Sequence, residues 1–537
     1  MSYWAKAPED RHQLVLFEKR LEDAIAPDHA VRLLDEILGR INWSGWEAEY
    51  HGRRGQPPIH PRVLCGAILY GILKRIRSSR MLEEALRERL DFRWLVEGQT
   101  IDHSTLSEFR RRHPDRLKEL FVKIGLIARE LGLLPLECLA YDGTRLRANN
   151  RRSGTRTPEE LREMQQELQQ KFKDLEQRVA AEDRREDELY GDKSGKTLPA
   201  ELSDVKVRLQ RVDAALAEVQ RVQEADETLP KRIPLTDPQS RVTPNKEGGF
   251  APNYTPLATV DTKAGFIVAC DVIAMTDEHR SLISQIQHVQ TDFNLPSPPA
   301  ETLGDGAMSS GSNLKELERL GVTLYSPAKT LDPAENPALR ADPRQPVPSE
   351  QWDALPTTEV KNGANQKQFQ LSKEAFVYDT QQDCYWCPAG RPLTPQQKTS
   401  EMVGKERQTR TRYKADPAMC AACPLRERCL QQGTKERTKG REVSRFDHEP
   451  LAEKLAQRMA TAEGQAKYAR RKEVAERPFA VIKQQFGARR FLLRGLSKVG
   501  IEWRWLTTAF NVERLMSWLR GRAGPDGGLS LSALESG

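Results

Sequence analysis

Asp142 stands at the end of an apolar run, Leu136–Tyr141, and is followed by Gly143, Arg145 and Arg147. An unpaired carboxylate at the tip of a buried strand is costly, and a divalent cation held against it removes the cost. A second short apolar run ends in the same way, on Asp305-Gly306. Two carboxylates on neighbouring strand ends repel, and one takes up a proton unless a cation neutralises them. Mg²⁺ or Mn²⁺ suits such hard oxygen ligands and retains water for a substrate. Two of these ions about 4 Å apart activate a water or a 3′-hydroxyl and stabilise the leaving oxygen of a phosphodiester. That chemistry calls for a third acid on a helix against the sheet. Glu476 fills the place, with Glu473 as its rival, and its spacing to Lys483 puts an acid and a phosphate-binding cation near one helical face. Asp261, Asp271 and Asp277 rank second, Asp277 first among them as a supporting residue.

The charge distribution points to a polyanionic substrate. The totals of 84 basic and 77 acidic residues leave a net charge of only +7. Between Lys467 and Lys498, however, ten Lys and Arg face two acids, and Gly143–Pro158 holds five Arg and no acid. Basic segments therefore flank two of the candidate acids, and Arg145, Arg147, Lys483 and Arg494 become candidate contacts to that polyanion.

The elements that must position these residues are read from periodicity. At 537 residues the chain exceeds one compact core. Helical spacing runs through Val63–Ile72, then through Ser78–Phe92 with Met81, Leu82, Ala85, Leu86 and Leu90 on one stripe. A third helix opens at Asp102 or Ser104 and runs to about 132. Short helices with Arg110, Arg111 and Arg112 together suit a helix-turn-helix-like DNA-binding unit, although a plain helical domain with a charged face has the same spacing. Residues 158–228 read as a polar helical hairpin with a leucine seam, Leu161, Leu168 and Leu175, able to self-associate. Asn253–Asp261 and Phe266–Ala274 form a β-hairpin, a helix covers Glu278–Val289, and Val322–Ser326 is a strand. Pro478 is expected to kink the helix that carries Glu476.

This order of strand-Asp142, hairpin, helix, strand-Asp305, helix, strand, insertion and helix-Glu476 resembles the RNase H-like catalytic domain of DDE transposases from bacterial insertion sequences. Asp102-His103-Ser104-Thr105-Leu106 and Phe109-Arg110 resemble that group's N-terminal helical domain. Thr236–Arg241 and Ala258–Asp261 resemble the run into its second strand. Tyr468, Arg471, Glu476 and Lys483 resemble its tyrosine–arginine–glutamate–lysine signature, with one extra residue between Arg471 and Glu476. Gly487, Arg494-Gly495, Glu502-Trp503 and Asn511 resemble the stretch on the C-terminal side of that signature. The resemblance implies an α/β fold with an RNase H-like mixed sheet flanked by helices. An N-terminal all-α DNA-binding domain would span 1–135 and the catalytic domain 136–520, interrupted by a helical insertion at 151–235 and a cysteine-bearing insertion at 330–448. A disordered tail would occupy 521–537. It further implies Mg²⁺-dependent cleavage at element ends, strand transfer into target DNA, double-stranded DNA as partner and a homodimer on DNA. Tyr468 and Arg471 join the DNA contacts on this ground. A catalytically inactive, domesticated DNA-binding descendant and an RNase H-like nuclease are the competing readings.

Of eight cysteines, Cys65, Cys138 and Cys270 sit in apolar settings as small hydrophobes. Cys384, Cys387, Cys420, Cys423 and Cys429 cluster, and their two C-x₂-C pairs suit a structural Zn²⁺ site with four thiolates drawn from the five. His103, His113, His279 and His288 form no metal-spaced group. No apolar run reaches membrane-spanning length and no secretory signal is visible, which makes the cytoplasm the expected compartment.

Overall fold

The computed structural model describes residues 20–50, 57–150, 154–190, 200–225, 230–245, 248–328, 335–361, 367–403, 406–430 and 439–521. The tail expected at 521–537 falls, but for its first residue, outside them. Two compact units emerge, Met1–Pro299 with Arg470–Gly537, and Ala300–Ala469. No helix among the described residues is long and apolar enough to cross a membrane.

The first unit opens with α1 (Ala30–Gly39), α2 (Ser44–Ala48), α3 (Pro61–Leu73), α4 (Ser79–Glu88), α5 (Leu90–Leu95), α6 (His103–Arg112) and α7 (Pro114–Glu130). Two stretches expected as single helices are each divided. Arg89 adopts an extended backbone (ψ 129°) between α4 and α5, and Leu90 and Met81 face solvent instead of joining Leu82, Ala85 and Leu86 in the core. The division between α6 and α7 falls at His113, because the residue before a proline is driven from the helical region. Asp102 caps α6 by accepting from the Ser104 and Thr105 amides at 2.8 and 2.9 Å.

Next come strands β1 (Cys138–Gly143), β2 (Leu146–Arg147), β3 (Thr155–Arg156), β4 (Ile233–Pro234), β5 (Arg241–Pro244), β6 (Phe250–Asp261) and β7 (Ile267–Ile273). The long strand β6 is the spine, pairing antiparallel with β1, β2, β5 and β7. Ten consecutive β6 residues, Pro252–Asp261, are buried, as a strand covered on both faces demands. Between β3 and β4 run α8 (Pro158–Tyr190) and α9 (Ala200–Glu224), which pack on each other through Leu161, Val212, Ala215 and Val219. The leucine seam is thus consumed within the hairpin at Leu161, with Leu168 packed against the same cluster. A 3₁₀ turn at Glu278–Ser281 leads into α10 (Leu282–Asp292).

In the second unit β8 (Glu301–Leu303) and β9 (Thr323–Tyr325) pair in parallel, connected through α11 (Gly311–Leu320). Beyond them lie the hairpin β10 (Thr357–Lys361) and β11 (Lys367–Leu371), and a five-stranded antiparallel sheet of β12 (Val377–Asp379), β13 (Cys384–Trp386), β14 (Pro392–Val403), β15 (Glu406–Ala415) and β16 (Glu442–Phe446). Three helices, α12 (Pro417–Ala421), α13 (Arg426–Cys429) and α14 (Glu449–Ala460), complete the unit. Antiparallel and parallel pairing together give an α/β protein of mixed strand pairing with a helical N-terminal region.

The chain returns to the first unit within α15 (Ala462–Gln484), which continues through Pro478, and ends in α16 (Leu496–Arg520). Apolar residues occur all round α16, and such a helix must be enclosed. It packs on α1, α3, α6, α7 and β7, so the N-terminal helices and the sheet share one core. Asn511 fastens it to β7: its side chain accepts from the Ile267 amide at 2.9 Å and donates to the Ile267 carbonyl at 2.7 Å. The Trp503 indole donates to the Leu257 carbonyl at 2.9 Å. At the helix start, Asp237 accepts from the Gly495 amide and Gln239 from the Leu496 amide, which explains the Thr236–Arg241 motif as a cap. Replacing Asn511 with Leu strands both buried Ile267 groups, and we expect a loss of about 2–4 kcal/mol. Denaturant unfolding followed at the tryptophans checks it.

Candidate catalytic site

Asp142 is the penultimate residue of β1, opposite Ala258 of β6. Its carboxylate accepts from the Gly143 amide at 2.9 Å and pairs with the Arg471 guanidinium at 3.0 Å; both side chains are largely buried. Arg471 is thereby placed at the first acid, whatever its spacing from Glu476. A second carboxylate arrives from outside the strand: oxygens of Asp142 and Glu278 lie within 4.8 Å of each other. The Tyr141 hydroxyl donates to the Glu278 backbone carbonyl at 2.6 Å and anchors the turn that presents it.

Gly143 makes room for this approach. A Cβ built there would stand 2.5 Å from a Glu278 carboxylate oxygen. Glu278 is the residue that periodicity and spacing missed. Its neighbour Asp277, singled out from sequence, instead lies 3.5 Å from Arg280 in an ion pair. Asp271 faces solvent on β7. Asp261 is buried, and it accepts from the amides of Leu136, Lys263 and Ala264 to close the β6–β7 turn. Burial raises its pKa above the ordinary carboxylate value.

Helix α15 runs beside the end of β1. Arg471 reaches Asp142, and two residues past that acid the Thr144 hydroxyl accepts from Lys483 Nζ at 2.5 Å. Glu476 lies between these two contacts along the helix and is exposed, as is Glu473. In the second unit Asp305 comes after β8 and caps a 3₁₀ turn at Gly306–Ser309, accepting from the Ala307 amide at 2.9 Å. Tyr468, half-buried, belongs to the same unit.

The basic residues separate by environment. Arg145, Arg147, Lys483, Arg489 and Arg490 line one cavity of about 260 Å³ together with Leu146, Asn245, Asn253 and Gln484, with no acid among them. Arg494, on the adjacent loop, donates to the Asn149 carbonyl at 2.9 Å. Arg110 turns inward: it donates to the Arg77 carbonyl, and burial pulls its pKa down to about 10. Arg111 stays exposed, with its Nε on the Ser107 carbonyl, and Arg112 pairs with Glu108 at 2.8 Å.

Gly143→Val should displace the Glu278 carboxylate, since the far end of a flexible side chain is what the new methyls meet. Loss of one such group costs about tenfold in metal affinity, to be read from Mn²⁺ titration by electron paramagnetic resonance. Unchanged Mn²⁺ uptake would remove Glu278 from the site.

Residues 19–112 match the family model described as a transposase domain (DUF772), and residues 386–516 match that of the transposase DDE domain. No curated protein matches the chain. The first match spans α1 to α6. The second includes four of the clustered cysteines, Glu476, Lys483 and most of α16, whereas Asp142, Glu278 and Asp305 lie outside both.

Proposed function

Starting from a DDE transposase of the insertion-element type, which the two family matches support, we propose that this chain cuts DNA at the ends of a mobile element and joins the freed 3′-hydroxyls to target DNA. One observation carries the reading. The Asp142–Glu278 carboxylate pair and a cavity lined by five basic side chains share a boundary at Lys483, which touches Thr144 and lines that cavity.

The donor set fits a hard divalent cation, because close carboxylates are relieved by positive charge, a need that Arg471 already meets in part. When bound, a pair of Mg²⁺ or Mn²⁺ ions activates the attacking oxygen and offsets charge on the leaving oxygen. We assign Asp142, Asp305 and Glu476 as the carboxylates that hold them, with Glu278 as an added carboxylate beside Asp142. Glu476 is favoured because the turns of α15 between Arg471 and Lys483 pass the end of β1.

The chain's other groups orient the DNA. Arg145, Arg147, Lys483, Arg489 and Arg490 hold backbone phosphates, with Arg494, Arg111 and Tyr468 as outlying contacts. Water attacks phosphorus at the element's end, the P–O3′ bond breaks, and a 3′-hydroxyl and a 5′-phosphate remain. That hydroxyl then attacks a target phosphodiester, a new P–O3′ bond forms, and the target's own 3′-oxygen departs with a proton. Two ends must be held at once, so we place the reaction in a homodimer on DNA.

Cleavage of end-containing DNA in Mg²⁺ tests this. Asp142→Asn, Asp305→Asn and Glu476→Gln should each lower the rate at least about a hundredfold. Glu278→Gln should instead raise the Mg²⁺ concentration required. The reverse pattern, full activity in Glu476→Gln and none in Glu278→Gln, transfers the third role to Glu278. Wild-type protein that binds ends without cutting would mark an inert descendant, and cutting without strand transfer would mark a nuclease. Arg147→Ala should weaken binding across sequences and reduce the salt slope by about one.

A further inference from the structure

Within the second unit, a chamber too small for an organic ligand, about 30 Å³, is lined by Cys387, Cys420, Cys423 and Cys429 together with Leu371, Leu425 and Arg441. Cys384 is not among its walls. Cys384 lies on β13, opposite Asp379, and its charged neighbours are Asp379, Asp383 and Arg344. Side chains alternate between faces of a strand, so residues three apart on extended chain point to opposite sides. Tyr385 and Cys387 accordingly pack with the sheet's core, while Cys384 is turned away. Cys429 ends α13 and takes the fourth place. The four thiols share this chamber without all lying within 4.8 Å of one another, so a bound metal would draw them together.

From this arrangement we infer a closed, four-thiolate metal centre formed by Cys387, Cys420, Cys423 and Cys429, of the kind that holds Zn²⁺, with Cys384 excluded. Tetrahedral sulfur coordination without an open position is the structural zinc pattern.

The backbone around the chamber is built to hold thiolates in place. Gly390, three residues after Cys387, has φ 70°, and a Cβ there would stand 2.2 Å from the Arg344 carbonyl oxygen. The turn it makes returns the Arg391 carbonyl to the Cys387 amide at 2.9 Å. Side-chain donors fix the carbonyls of three cysteines: Arg340 on Cys387 at 2.9 Å, Arg426 on Cys420 at 3.2 Å, and Arg441 on Cys429 at 2.8 Å. Three guanidiniums on that shell also offset the surplus negative charge that four thiolates leave on a divalent ion. The β14–β15 hairpin spans the sequence between Cys387 and Cys420 and closes the distance between them.

Metal analysis of the full chain, purified reduced with and without zinc in the growth medium, tests the assignment. The zinc-grown protein should carry about one zinc per chain. Cys384→Ser should keep it, and Ser at 387, 420, 423 or 429 should lose most of it. Because a serine variant can misfold, wild-type protein is also alkylated before and after a chelator. Cys387, Cys420, Cys423 and Cys429 should gain label together, and Cys384 should not change. Co²⁺ in the stripped protein should give the intense sulfur-to-cobalt charge-transfer band of thiolate ligation. Absence of both zinc and that band overturns the inference, as does zinc loss in Cys384→Ser with zinc retained in Cys429→Ser. This outcome is independent of DNA cleavage.

Discussion

A helix without a polar face has to be surrounded, and α16 places that demand on the first unit of this protein. Fourteen of its residues are buried, so α7, α3 and α6 cover it together with β7. Two of its buried side chains are spent on strand backbone: Asn511 on Ile267, Trp503 on Leu257. Glu502 pairs with Arg77 at 2.6 Å and accepts from the Leu492 and Leu493 amides. Glu502, Trp503 and Asn511, which resemble the stretch that follows a catalytic family's signature, therefore hold structure here. They hold in place the helix whose packing keeps β6, and through it β1, where it is.

The acid at the end of β1 is maintained by compensation. Asp142 and Glu278 repel at their separation, and Arg471 relieves the nearer of them. A guanidinium is always charged and gives directional donors, so the arrangement is consistent without an ion and receptive to one. Lys483 extends the positive charge from β1 into the cavity that Arg145, Arg147, Arg489 and Arg490 line. Two basic segments far apart in the chain are brought to one cavity by the pairing of β2 with β6 and the return of the chain after α15. Arg110 goes the other way, because α6 turns it toward Arg77 and the shared core.

The cysteine region obeys a different rule. Its sheet packs its own small core of Leu371, Tyr385, Leu393, Tyr413 and Val443, and the chamber sits against that core. Strand alternation, and not chain proximity, decides which cysteines line the chamber. A C-x₂-C pair suits a common metal only when a turn lies between its members. Cys420 and Cys423 have such a turn, whereas Cys384 and Cys387 have strand.

The amino-acid sequence determined the elements and their types: the helical hairpin read at 158–228 and found as α8 and α9, the β6–β7 hairpin and the strand that carries Asp142. Those are local properties, written in side-chain periodicity and turn residues. The boundary at Asp102 was legible because a cap imposes it, whereas the breaks at Arg89 and at His113, before Pro114, fall inside stretches whose apolar spacing runs on. Which groups meet was decided only by tertiary structure. Glu278 joins Asp142 through a contact between residues 136 apart, Arg471 arrives from the far end of the chain, and of the five clustered cysteines four line one chamber and Cys384 does not. Such meetings depend on strand pairing and on the packing of a buried helix, which no window of sequence contains.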